Sequence, residues 1–475
     1  MDTRHSFVLP KPPIPPASIA PLLASNSAPE GLEERIARAH IAELEKHADF
    51  LDNTHKSILS PLRRLPNELL AEIFTMVIRD TLRFDNNVPR PWSQPPWTLA
   101  RVCRRWTAVA LGTSSLWSRV LLHLNLIGLG EGAVTMTQLL HQRSGSAPLM
   151  VSIHDDCDKE TRGVLNLAFT HCERWKHVRL SGLFLAPMTP LISEISTVRE
   201  RLPALTTLRI HAELKDAEDS LAEFRDIFAI TPNLTAIDAW FQHRDGFLLQ
   251  PPFEFPWRQL TTLSISFARS EQALPIFPQL STIVNLRVQL KWAGVSPTQS
   301  PIILPHLRML ELYSQRGLDS PTSPPLLSCL TSPLLRHLAV HNEAEKDAVL
   351  NFLKRSECEL KSFHFFHSFA ISPGDAVALI GEMLWVRDVK IGYFNSPADP
   401  PPESITEAIY SHWLNHRNPL KVKSGTSRLS VCIADNNHPP IDPEINSDMQ
   451  TNGMFVEILR DVWEFDSLVD ATFEV

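Results

Sequence analysis

The pattern apolar-x-x-apolar-x-apolar recurs nine times between residues 175 and 391. Successive units are 23 to 30 residues apart, counted between their last apolar positions. One such triplet is common by chance, so the near-constant step and a shared flank carry the argument. Pro203, Pro232, Pro305 and Pro333 each stand two residues before the first apolar position of their unit. The alternation predicts one short strand per unit, paired with the strand of the next unit. The last apolar positions are Leu180, Ile210, Ala239, Ile265, Val288, Leu312, Val340, Phe365 and Ile391.

A step of this length with one strand per unit is the signature of a leucine-rich repeat. The asparagine ladder that usually follows each strand is absent, so we expect an irregular, leucine-rich-repeat-like solenoid with parallel strands over residues 119–399. The predicted class is therefore an α/β or α+β repeat, and a plainer α/β fold with parallel strands stays open as the alternative. Residues 400–475 fit the period poorly and are predicted to be a C-terminal cap.

Three segments are predicted inside that cap. Residues 405–413 carry a helical spacing of apolar side chains, and Leu429–Ile433 is predicted to be a strand. The spacing of Phe455, Ile458, Leu459 and Trp463 predicts a final helix.

Two different segments precede residue 61. Residues 1–30 are rich in proline without an apolar period, so we expect them to be disordered. Residues 31–60 predict one amphipathic helix with Ala37, Leu44, Leu51 and Ile58 on a heptad seam. A coiled coil and a helix that packs on its own domain remain equally open.

Residues 61–118 predict a small helical domain. Its first helix opens at Leu65-Pro66, where proline at the first helical position loses no hydrogen bond. A second helix is predicted from Leu99 to Trp106, with an apolar stripe that includes Cys103 as an inert, buried thiol. Three short helices of this size bury too little surface to be robust alone, so surplus apolar side chains should face a partner.

The ordered motifs of this stretch resemble the F-box domain, over about 55 of the 475 residues. The long segment 80–97 and Ser115 depart from the family pattern. The preceding heptad helix makes the chain similar to F-box proteins of mushroom-forming fungi. The matching residues are Leu65, Pro66, Glu68, Leu69, Ile73 and Phe74, then Val102, Cys103, Arg104 and Trp106, then Leu116 and Trp117.

The resemblance implies a non-enzymatic substrate-recognition subunit of a Skp–cullin–F-box ubiquitin ligase. The helical domain would bind the Skp-type adaptor, and through it a cullin–RING ligase, while the array would hold an unknown protein target. For Trp106 and Trp117, a role in the core is the equal alternative. The adaptor-binding candidates are Leu65, Pro66, Glu68, Leu69, Ile73, Leu99, Val102, Cys103, Trp106, Leu116 and Trp117.

Residues between the apolar positions of the strands point to the other face of the predicted sheet. Cations, imidazoles and aromatic side chains are mixed there, a composition enriched at protein interfaces. An ordinary solvated face is the alternative. Besides His177 and His337, the target-binding candidates are Arg179, Arg209, His211, Asp238, Trp240, Arg287, Gln289, Glu311, Tyr313, His341, His364, Phe366 and Lys390.

Net charge, cysteine content and the length of apolar runs limit the functional classes that remain. A net charge of −8 argues against a dedicated nucleic-acid binder. Six dispersed cysteines favour a reducing, intracellular compartment, cytoplasm or nucleus, and no apolar run is long enough for a membrane span. Cys157, His171, Cys172 and His177 lack the paired spacing of metal ligands, so no metal and no cofactor are expected.

Two other hypotheses stay open. One is a scaffold protein of the same fold that does not bind the adaptor. The other, more remote, is a dinucleotide-dependent enzyme, since Gly128, Gly130 and Ala133 form G-x-G-x-x-A, with Asp155 and Asp156 about 25 residues further on.

Overall fold

The chain divides into two compact units, Met1–Thr113 and Ser114–Val475, in a computed structural model. The boundary falls within the predicted helical domain of residues 61–118. Most of the predicted disordered arm, residues 1–30, lies outside the described residues. The structure describes residues 11, 13–17, 20–21, 31–59, 64–81, 95–123, 131–154, 162–185, 195–214, 225–243, 253–292, 301–314, 326–341, 346–367, 373–383, 386–394, 428–434 and 454–459.

The first unit is helical in its described part. Helix α1 spans Leu32–Leu59, α2 spans Asn67–Thr81 and α3 spans Arg104–Gly112. Helix α2 packs on α3, where the rings of Phe74 and Trp106 lie 4.9 Å apart between centroids. Arg105 joins the two helices, since its guanidinium donates to Asn67 Oδ1 at 2.9 Å and to the carbonyl of Leu65. Helix α1 is the long helix predicted for residues 31–60.

The predicted second helix from Leu99 to Trp106 is wrong. Leu99–Arg101 forms one turn of 3₁₀ helix, and Cys103 is extended, with φ −161° and ψ 167°, before α3 begins at Arg104. The break removes the continuous stripe that would have buried Cys103. The thiol is exposed, which corrects the prediction of a buried one.

The second unit is built on one parallel sheet of thirteen described strands, and this makes it an α/β structure. The strands pair in chain order, and β8 (Ile302–Ile303) and β10 (Leu330–Thr331) form a separate parallel pair. The sheet strands are β1 (Arg119–His123), β2 (Leu149–His154), β3 (Trp175–Leu185), β4 (Thr207–Leu214), β5 (Ala236–His243), β6 (Thr262–Arg269), β7 (Asn285–Trp292), β9 (Met309–Ser314), β11 (His337–His341), β12 (Ser362–His367), β13 (Asp388–Phe394), β14 (Arg428–Ala434) and β15 (Met454–Leu459).

The nine predicted last positions lie side by side in this sheet. Leu180 pairs with Ile210, and the same register continues strand by strand to Ile391. All nine side chains are buried. The predicted pairing of each strand with the next is confirmed, because period-two alternation and one buried face leave a single favourable register.

Proline sets the turn before four of these strands. Pro203 follows Leu202, whose carbonyl accepts a hydrogen bond from the amide of Leu205. The same arrangement recurs at Pro232, Pro305 and Pro333. Proline fixes φ near the value that the second residue of such a turn requires, so the shared flank in the sequence is a shared β-turn.

The segments between strands differ along the sheet. Helices α4 (Glu131–Ser144) and α5 (Arg162–Thr170) follow the first two strands, and α7 (Lys346–Ser356) and α8 (Pro373–Met383) follow β11 and β12. Between them stand the short α6 (Ser270–Ala273) and turns of 3₁₀ helix. Gly145 ends α4 at φ +52°, as the helix C-terminus requires.

The last two described strands extend the same sheet. Strand β14 confirms the strand predicted at Leu429–Ile433. The predicted final helix is wrong, because Met454–Leu459 is β15 and pairs with β14. A short apolar run fits both periods, and backbone pairing with a neighbouring strand decides between them. Residues 405–413 and Trp463 lie outside the described residues.

Candidate functional site

Helix α2 carries an apolar row that the chain leaves exposed. Leu69, Ile73 and Met76, here called the α2 row, are spaced i, i+4, i+7 and are 52%, 38% and 52% exposed. Val102 is 59% exposed. A second stripe of the same helix, which includes Leu70, Phe74 and Ile78, is buried. Helix α2 is therefore apolar on two sides, and in the described part of the chain the Leu70 side is the one that is buried.

The other predicted adaptor-binding residues divide by burial. Pro66, Glu68 and Cys103 are exposed, and Leu65, Leu99 and Trp106 are half-buried. Leu116 and Trp117 are buried in the second unit, where the guanidinium of Arg143 lies 4.3 Å from the Trp117 ring centroid. These two side chains therefore contribute nothing to an exposed surface.

The face of the sheet opposite the nine buried last positions is here called the outer face. It holds two clusters, and the first lies on β4 and β5. The indole of Trp240 donates to Asp238 Oδ1 at 2.8 Å, and His211 Nε2 lies 3.6 Å from Asp238 Oδ2. Arg209 Nε lies 4.0 Å from the same oxygen. Burial by itself raises the pKa of Asp238, but His211, Ser264 and Arg209 together hold it below its ordinary value. Arg179 pairs with Arg209 in the register and is half-buried.

The second cluster begins with a buried ion pair on β7 and β9. Arg287 Nε donates to Glu311 Oε2 at 2.8 Å, and their side chains are only 10% and 6% exposed. Burial raises the pKa of Glu311, against the opposing effect of Arg287. The guanidinium carbon of Arg287 also lies 5.6 Å from the Tyr313 ring centroid.

A stack of three rings continues this cluster across β9, β11 and β12. The His341 ring lies 4.1 Å from Tyr313 and 4.7 Å from Phe366, with interplanar angles of 16° and 22°. His341 Nε2 is buried and has no hydrogen-bond partner among the described residues. Burial is the main cause that lowers the pKa of His341 to about 3, and the charges of His364 and Arg287 act in the same direction. His341 is thus a neutral ring in the stack at pH 7.

The remaining outer-face candidates lie around these clusters. His364 Nε2 lies 3.2 Å from Ser362 Oγ and 3.4 Å from Asp388 Oδ2, and Gln289 and Lys390 are half-buried. His177 and His337 are half-buried at the starts of β3 and β11, and burial lowers the pKa of both. The face therefore departs from an ordinary solvated one, because it buries Arg287, Glu311 and His341.

Sequence reasoning missed a set of cations at the starts of the later strands. Arg308, Arg336, Lys361 and Arg387, here called the cation row, are exposed and precede β9, β11, β12 and β13. Each directly follows the first apolar position of its unit, and that shared position was the signal available in the sequence.

The sequence candidates for a dinucleotide site and a metal site give no further candidate site in the part of the chain that the structure describes. Gly128, Gly130, Asp155, Asp156 and Cys157 lie outside the described residues. Within the described ranges, no three side chains of His, Cys, Asp or Glu are grouped as metal ligands. None of the described helices is long and apolar enough to cross a membrane.

Comparison with other proteins yields no family for the chain: no family model and no curated protein matches it.

Proposed function

We propose that the chain is a substrate-recognition subunit of a Skp–cullin–F-box ubiquitin ligase. The helices of the first unit bind the Skp-type adaptor, and the second unit is a leucine-rich-repeat-like solenoid that binds a protein target. The proposal assigns no chemical step to this chain. It supplies proximity, since it holds the target near a ubiquitin-loaded partner.

The exposed α2 row is the observation that carries the adaptor part of the proposal. Large apolar side chains on one helix face lower the free energy when a partner removes them from water, by about 25 cal/mol per Å². A helix that presents residues at i, i+4 and i+7 suits docking into a partner's groove. Leu69 and Ile73 are also residues that carry the resemblance to the F-box, and Val102 adds an exposed apolar contact in the same unit.

The solenoid part of the proposal is supported by the sheet. All thirteen strands pair in parallel and in chain order, and units share a buried last position and, in four cases, a proline turn. Stacked units of this kind present one extended face to a ligand. The mixture of Trp240, Tyr313, Phe366 and charged groups on that face has the composition of interfaces rather than of bulk surface.

Adaptor binding is the decisive test. We expect Leu69→Ala with Ile73→Ala to weaken binding of a purified Skp-type adaptor by about 2 kcal/mol or more, roughly thirtyfold, measured by surface plasmon resonance. The matched control is Ile230→Ala with Leu334→Ala, which removes two exposed apolar side chains from the second unit and should leave adaptor binding unchanged. Equal binding by the α2 variant and the wild type, or no binding by the wild type, would favour the scaffold hypothesis.

A further inference from the structure

The cation row lies across four adjacent strands. The amide of Arg336 donates to the carbonyl of Arg308 at 2.8 Å, that of Lys361 to Arg336 at 2.7 Å, and that of Asp388 to Lys361 at 3.1 Å. The four backbones are therefore direct neighbours, spaced about 4.8 Å apart as strands in a sheet are. Four cations thus span about 14 Å along one edge of the sheet.

Three of the five earlier positions on the same edge carry threonine instead of a cation, and the other two are Lys176 and Val284. The corresponding positions before β4, β5 and β6 are Thr206, Thr235 and Thr261. Each threonine hydroxyl donates to the carbonyl of the preceding unit, at 3.0, 3.3 and 3.2 Å. Threonine at this position therefore stabilises the fold, whereas arginine and lysine do not repeat that hydrogen bond.

The cations have no ion-pair partner among the described residues. In the ranges that the structure describes, no carboxylate pairs with Arg308, Arg336, Lys361 or Arg387, and the nearby Asp388 carboxylate lies against His364. Like charges placed side by side on neighbouring strands destabilise a sheet. A ligand of opposite charge would relieve the repulsion between these exposed cations, which have no ion pair in the described part of the chain.

We propose that the cation row binds an extended, acidic segment of the target protein, rich in Asp and Glu. This inference rests on the proposed function and names the chemistry of the target. An extended chain rises about 3.4 Å per residue, so the 14 Å row matches about five residues. Lys390 on β13 adds a cation on the outer face beside the row.

An acidic peptide fits better than a nucleic acid. The row spans only about 14 Å, which is short for a nucleic-acid site. The whole chain carries a net charge of −8, which repels a long polyanion. A short acidic segment carries fewer negative charges than a nucleic acid, so the net charge of the chain repels it less.

The test uses the full-length chain and a fluorescein-labelled peptide of about ten residues, all Asp or Glu, followed by fluorescence anisotropy in about 0.15 M salt. We expect Arg336→Glu with Lys361→Glu to weaken binding about tenfold or more, because two attractive charges become repulsive. Lys46→Glu with Lys354→Glu is the matched control. It changes the net charge equally through exposed cations on α1 and α7, and it should alter affinity less than about twofold.

Three results overturn the inference. They are equal weakening by both double variants, equal binding of the peptide with Asn and Gln in place of Asp and Glu, and tighter binding of a DNA duplex than of the peptide. Thermal unfolding of both variants controls for loss of structure. Adaptor binding, measured on the same samples, separates the two proposals. A chain that binds the adaptor but not the acidic peptide contradicts the proposal for the cation row and leaves the proposed function intact.

Discussion

The two units depart from the usual distribution of side chains in opposite directions. The helical unit exposes Leu69, Ile73 and Met76, whereas the outer face of the sheet buries Arg287 and Glu311. Exposed apolar rows and buried charges are the informative exceptions, because folding alone favours neither. The helical unit is short and cannot cover all its apolar surface, while the sheet is large enough to enclose an ion pair.

Exposure of a side chain therefore has a different consequence in each unit. In the helical unit, surface apolar side chains should contribute little to stability and much to binding. In the sheet, several polar side chains of the outer face should matter for stability because they are buried. Three predictions test this contrast.

The ion pair on β7 and β9 gives the largest effect. Arg287→Met leaves Glu311 buried without its partner, and we expect a loss of about 3 to 5 kcal/mol in the free energy of unfolding at pH 7. Urea unfolding followed by circular dichroism measures it. The double variant Arg287→Met with Glu311→Leu removes both charges and should lie within about 1 kcal/mol of the wild type or above it. A single variant as stable as the wild type would show that the pair is not buried.

Two adjacent leucines of α2 give the next contrast. Leu70 is buried and Leu69 is half exposed, so Leu70→Ala should cost about 3 kcal/mol and Leu69→Ala less than about 0.5 kcal/mol. Hydrogen exchange of residues 67–112, read by mass spectrometry, reports the opening free energy of this unit. Similar exchange in the two variants would contradict the assignment of the two faces of α2.

Acidification gives the smallest effect. The pKa of His341 lies near 3 in the folded chain and near 6.5 when unfolded, so below pH 6.5 only the unfolded chain gains the proton. Stability from His341 is complete above pH 6.5 and is lost as the pH falls, by about 2 kcal/mol between pH 7 and 5. His141, with a pKa lowered to about 4 chiefly by burial, acts in the same direction.

The measurement compares urea unfolding at the two pH values for three proteins. His341→Phe keeps a ring between Tyr313 and Phe366 and should reduce the loss on acidification by about 2 kcal/mol relative to the wild type. His306→Phe, in an exposed turn, should keep the full loss. If His341→Phe loses as much stability as the wild type, His341 is accessible to protons in the folded chain.

The register of the sheet could be predicted from the sequence, while several side-chain environments could not. Nine buried positions with a shared spacing, four of them preceded by a proline turn, specify which residues lie side by side. The alternation also places Arg287 and Glu311 on the outer face. It carries no information on whether two side chains 24 residues apart exclude water from each other, so their burial was missed.

The errors at Cys103 and at residues 454–459 have a common physical origin. Apolar residues at i, i+3 and i+4 fit a helix in both places, but short runs do not fix where a helix begins or whether it forms. The extended backbone at Cys103 and the pairing of β15 with β14 depend on neighbouring segments. Among the candidate sites, Leu69 and Ile73 of the α2 row were named in the sequence through the F-box resemblance, whereas the cation row was visible as a shared position and was missed.

The strictly sequential strand order has a consequence for synthesis of the chain. Each new strand of the thirteen-stranded sheet pairs with the strand of that sheet made just before it, over a separation such as the 24 residues between Val288 and Leu312. A nascent chain leaving the ribosome can therefore complete each pairing soon after its residues emerge, without waiting for distant segments. Slow translation or an arrested ribosome would leave a shorter sheet with one open edge, a natural site of recognition for chaperones.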